Sequence, residues 1–145
     1  MPTYTISVRI ESPSLDVAQV TNELGIQPTQ TRHRGDRRSE STVWKNALWE
    51  FEVFQHNRSE WESLEAGLIE LLKVLTPRVQ LLRKYQESND VYLWCGVFCS
   101  GFSSGPRLSA EVLGKLSALG TPISLAIYPS TTESDEKADS SLRSE

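Results

Sequence analysis

Tyr4, Ile6, Val8 and Ile10 alternate with Thr5, Ser7 and Arg9, the two-residue period of a strand with one covered face. Ser14 stands where a helix N-cap is expected. Leu15, Val17, Val20 and Leu24 then recur at helical spacing up to Gly25, which suits the left-handed residue that closes a helix. Trp49, Phe51 and Val53 alternate with Glu50 and Glu52 and predict a second strand with an aromatic covered side. After Ser59, a second candidate cap, the stripe Trp61, Leu64, Leu68, Leu71 and Leu75 predicts a helix ending near Thr76 and Pro77. Proline fits the first turn of a following short helix over 77–86.

The run from Val91 to Cys99 is almost continuously apolar, as a central strand buried on both faces requires. A glycine-serine loop over 100–106 leads to Ser109, the cap of a helix carrying Val112, Leu113, Leu116 and Leu119 to Gly120. A last strand spans 123–128. The order predicts an α+β domain over 1–130, in which two pseudo-repeated β-α-β units are joined by a helical crossover. A ferredoxin-like fold or a two-layer sandwich satisfies that order. Residues 131–145 predict a disordered acidic tail.

Charge changes the picture in two places. The formal net charge is -4, but residues 131–145 hold Glu133, Asp135, Glu136, Asp139 and Glu145 against Lys137 and Arg143, so the rest of the chain is nearly neutral. A neutral body argues against nucleic acid and against an anionic membrane as partners. No apolar run is long enough for a membrane span and the N-terminus lacks a signal-peptide pattern, which predicts a cytoplasmic protein.

The second place is the stretch 27–47, which has little apolar periodicity and reads as a long loop with a ragged hairpin. It concentrates Arg32, Arg34, Arg37 and Arg38 around His33, Gly35 and Asp36. Four guanidinium groups beside a glycine suit a carboxylate or phosphate, through bidentate contacts and exposed backbone N–H groups. The plainer alternative is a solvated loop whose arginines pair with Glu40, Glu50 and Glu52.

A second candidate surface follows from strand parity. If Val91, Leu93, Cys95, Val97 and Cys99 face the helices, Tyr92, Trp94 and Phe98 line the opposite face. That face is either covered by the 59–86 helices or left for a protein partner or a second subunit. Nucleobase stacking there is disfavoured by Glu50 and Glu52.

Catalytic and cofactor chemistry finds no constellation. His33 and His56 have no nucleophile in a catalytic setting, and Gly96 and Gly101 form no dinucleotide fingerprint. Cys95 and Cys99, about 13 Å apart along one strand, cannot bridge each other and read as reduced core thiols rather than metal ligands. No cofactor and no metal is predicted.

Leu24-Gly25-Ile26-Gln27-Pro28-Thr29, followed by Arg34-Gly35-Asp36, Trp49, the leucine-rich helix before Pro77, Leu119-Gly120 and Ile127-Tyr128, carry a resemblance. The chain resembles the bacterial family catalogued as domain of unknown function 4279 over about residues 4–128. It departs from that pattern at Ala126, where an acidic residue is expected. The resemblance implies a fold and no reaction. The expectation is therefore a non-catalytic interaction module that binds a protein partner, in an immunity-like role or as a homodimer. The alternative is a sensor that binds a small anionic ligand through loop 29–38.

Overall fold

The computed structural model describes residues 2–99 and 105–129. The elements run β1 (Thr3–Ser12), α1 (Val17–Leu24), β2 (Gln30–Arg32), β3 (Ala47–Val53) and α2 (Leu64–Leu75). A 3-10 turn at Thr76–Arg78 leads into α3 (Val79–Gln86), β4 (Asp90–Cys99), α4 (Ala110–Leu119) and β5 (Ile123–Pro129). The fold is mixed α/β around one five-stranded sheet, ordered β2-β3-β1-β4-β5. The acidic tail, and the glycine-serine loop up to Ser104, lie outside the described residues.

Strand parity divides the sheet. Ile6, Val8, Ile10, Trp49, Val53, Leu93 and Cys95 join Val20 and Leu24 of α1, Leu68, Leu71 and Leu75 of α2, Leu82 of α3, and Val112 and Leu119 of α4 in one core. Burying side chains of this size contributes about 1.5–3 kcal/mol each before the entropic cost of ordering them. The helices therefore cover the face opposite Tyr92, Trp94 and Phe98. Burial of those aromatics under the 59–86 segment, one of the two expected arrangements, is ruled out by this register.

The expected repeat does not extend to strand pairing. β1 pairs antiparallel with β3, whereas β4 pairs parallel with β5 as an immediate neighbour. β1, α1 and β2 form a split β-α-β, since β1 and β2 both run antiparallel to β3, which lies between them, whereas β4, α4 and β5 do not, because their parallel strands are immediate neighbours. β4 lies between β1 and β5 and pairs with both, as its apolar run predicts.

Two helix starts differ from expectation. Asp16, not Ser14, caps α1, its carboxylate accepting from the Gln19 N–H at 3.1 Å. Ser63, not Ser59, caps α2, accepting from the Ala66 N–H at 3.1 Å. Trp61 lies before that helix and exchanges two backbone hydrogen bonds with Tyr4, at 2.7 and 2.8 Å. Its spacing to Leu64 imitates a helical stripe, but the strand-edge bonds win.

Candidate anion site on the outer sheet face

The residues of the recognised motif build the fold. Gly25 closes α1 at φ 69°, a conformation that disfavours any side chain. Thr29 donates its N–H to the Glu50 carbonyl at 2.8 Å, and its Oγ1 accepts from the Glu52 N–H at 2.9 Å, which anchors the chain to β3. Trp49 is fully buried and donates its indole N–H to Thr21 Oγ1 at 3.0 Å.

The face away from the helices carries cross-strand rows. One row runs Gln30, Glu50, Arg9 and Tyr92; the next runs Arg32, Leu48, Glu11 and Asp90; on the other side come Glu52, Ser7 and Trp94. Arg9 Nε donates to Glu50 Oε2 at 2.6 Å, and Ser7 Oγ donates to the same oxygen at 2.8 Å. Arg9 also lies over Trp94, 4.2 Å from the ring centroid, while Tyr92 donates its hydroxyl to Glu11 at 3.1 Å. Phe98 stacks on Tyr128 with centroids 5.0 Å apart. Ala126, at the position where an acid was expected, pairs with Gly96 on this face, and the Thr5 hydroxyl and the Trp94 and Phe98 rings crowd over that glycine. Glu52, half-buried and next to Glu50, has its carboxyl pushed up to about 7, by burial first and by the Glu50 charge second.

The arginine-rich segment is the expected ragged hairpin. His33 and Asp36 close its turn through the Asp36 N–H to the His33 carbonyl at 3.0 Å and the His33 N–H to Asp36 Oδ2 at 2.8 Å. Gly35, at φ 92°, donates its N–H to the Trp44 carbonyl at 2.9 Å. Trp44 returns a bond to the Asp36 carbonyl at 2.8 Å, and Arg38 bonds to Thr42. Gly35 and Asp36 are thus the hairpin's geometry. The Gly35 N–H, expected to be open to an anion, is taken by the Trp44 carbonyl.

Those side chains converge on Trp44. The Arg32 guanidinium lies 3.5 Å from the indole centroid and that of Arg38 lies 4.6 Å from it. With Glu11, Lys45 and Asn46 they line a cavity of about 420 Å³ between the hairpin and the sheet. Three cations face one carboxylate there. Burial first, and the charge of Arg9 second, hold the Arg32 guanidinium below its ordinary value. Its Nε is buried and has no hydrogen-bond partner among the described residues. Leu48, on the same face, is 1% exposed although it lies outside the helix-side core.

The structure thus joins Arg32 and Arg38 in one cavity wall. His33, Arg34 and Arg37 are exposed and do not line it, and Tyr92, Trp94 and Phe98 form the neighbouring part of the face. Glu50 pairs with Arg9, not with the hairpin's arginines. Trp44, Lys45 and Glu11 are the members that pattern reading missed. The available signal was Trp44, a lone aromatic ring in an otherwise polar stretch. A smaller cleft of about 330 Å³ between α3 and α4 is mainly apolar, and its Arg83 already donates to the Ala118 carbonyl.

The family profile of the domain of unknown function DUF4279 matches residues 2–130. The chain belongs to that family. Neither a curated protein nor a solved structure matches it. Among the described DUF4279 residues, no helix is long and apolar enough to cross a membrane, and no group of three His, Cys, Asp or Glu side chains is placed to hold a metal ion.

Proposed function

We propose that this domain is a binding module that takes an anionic group, a carboxylate or phosphate on a small ligand, into the cavity formed by Arg32, Trp44, Arg38 and Lys45. The observation that carries this reading is the unpartnered Arg32 Nε, buried beside a second guanidinium on the same indole. A buried donor without a partner costs about 1–3 kcal/mol, and two like charges held at one ring repel each other. An anion in the cavity beside the two guanidinium groups offsets their repulsion, a turn of the Arg32 side chain towards it would give the Nε a partner, and guanidinium groups bind carboxylate and phosphate in bidentate fashion. The cavity volume falls within the range of small-ligand sites.

Thermal denaturation of the full chain with inorganic phosphate and with citrate tests this reading. Stabilisation that rises with anion concentration, and that Arg32→Gln and Arg38→Gln abolish, supports it. Equal melting curves for all three proteins at every concentration overturn it.

A second reading, an acidic protein partner, is favoured by Arg34 and Arg37, exposed on the hairpin outside the cavity. Under that reading Arg34→Glu combined with Arg37→Glu abolishes partner capture and leaves the response to phosphate intact.

A further inference from the structure

β5 is the sheet's last strand, and among the described residues no strand pairs with its outer edge. It also breaks the burial rule of its own face. Register places Ile123, Leu125 and Ile127 opposite Leu93, Cys95 and Val97, on the side the helices cover. Yet the three are 39%, 54% and 65% exposed. α4, the helix connecting β4 to β5, buries only Val112 and Leu119 and leaves Leu113 51% exposed. The core therefore stops short of this edge.

Natural edge strands are normally protected by a charge, an inward-pointing lysine, a bulge or an interior proline. Residues 121–129 contain no Asp, Glu, Lys, Arg or His, and their prolines, Pro122 and Pro129, sit at the two ends of the strand. We infer that this edge pairs antiparallel with the β5 edge of a second copy of the chain, making a two-fold dimer with a continuous sheet.

Three observations select that occupant. A strand of this composition meets no like charge in its own copy, whereas a charged partner strand would bury charges with nothing to pair them. The chain's own residues 131–145 are a poor match, with seven charged residues and Leu142 as their one large apolar side chain. Geometry is the third: the Pro122 carbonyl accepts from the Leu93 N–H at 2.8 Å, so Pro122 points its backbone at β4. Alternation then turns the backbone groups of Ile123, Leu125 and Ile127 towards the open edge. A two-fold axis at Leu125 pairs Leu125 with itself and Ile123 with Ile127, which gathers six aliphatic side chains on one face. Such an interface is isologous, the commonest form of homo-oligomer contact.

Sedimentation equilibrium of the full chain over a range of concentrations, with wild type and Leu125→Lys, tests this inference. The wild type is expected at twice the chain mass. Leu125→Lys is expected to raise the dimer dissociation constant at least tenfold while keeping the wild-type circular dichroism spectrum, since the replaced side chain is more than half exposed. A second variant reads the register: Leu125→Cys in a Cys99→Ser background is expected to form an intermolecular disulfide on mild oxidation, because a hydrogen-bonded antiparallel pair holds its Cα atoms about 5.5 Å apart. A monomeric wild type at every concentration overturns the proposal. So does a dimer that Leu125→Lys leaves unchanged and Leu125→Cys fails to cross-link.

Discussion

The guanidinium of Arg32 rests 3.5 Å from the centroid of the Trp44 indole, with Arg38 at 4.6 Å from the same ring. Trp44 is thus the platform that holds two like charges at one cavity wall. Each cation-ring contact at a partly exposed site contributes about 0.5–1 kcal/mol. Trp44→Ala is expected to weaken phosphate binding at least tenfold while lowering folding stability by no more than about 2 kcal/mol. Titration calorimetry and urea denaturation of the variant measure the two effects separately.

Glu50 is 5% exposed and accepts from both Arg9 and Ser7. Removing its carboxylate strands a partly buried guanidinium and a buried hydroxyl. Glu50→Ala is expected to cost about 2–3 kcal/mol in urea unfolding. Ser7→Ala, which leaves the ion pair in place, is expected to cost about 1 kcal/mol.

Glu52 makes the fold sensitive to pH. Below about 4.5 its carboxyl is protonated in both the folded and the unfolded chain, and stability does not depend on it. Between about 4.5 and about 7 the unfolded chain releases the proton that the folded chain retains, so stability falls as pH rises and levels off above that window. After solvent screening of a half-buried group, the loss is on the order of 1 kcal/mol. Denaturant midpoints at about pH 5 and about pH 8 should differ less in Glu52→Gln than in the wild type, by that amount.

The two thiols separate by burial. Cys95 is fully buried, and burial pushes its thiol up to about 12, whereas Cys99 is only half-buried at the end of β4. Both were expected in the core. A thiol reagent is expected to modify one cysteine in the native protein and two after denaturation.

Leu48 reports on the hairpin. If the 33–46 segment packs on the outer face, Leu48→Ala leaves a cavity beneath it and costs about 2–4 kcal/mol. An exposed residue at this position would cost well under about 1 kcal/mol.

Periodicity made most of the architecture legible. The alternation along Tyr4 to Ile10 and Trp49 to Val53, the apolar run of β4, and the glycines that close α1 and α4 each have a local cause, and each element formed where its pattern lies. β2 was missed because Gln30–Arg32 is three polar residues long, too short to display a period and held in place by its pairing with β3. Strand directions were beyond reach because the same element order admits an antiparallel and a parallel closure. At the site, the arginines were visible as a cluster. Which two of the four act together was not, since that depends on the hairpin folding Trp44 back over the sheet.

Titration of inorganic phosphate into the full chain by isothermal calorimetry, at low and raised salt, tests the central claim most directly. The arrangement of Arg32, Trp44 and Arg38 predicts one saturable site, weakened by salt and lost in Arg32→Gln while that variant keeps its fold. Saturable binding of equal strength in wild type and Arg32→Gln, or no binding heat in either, would contradict it.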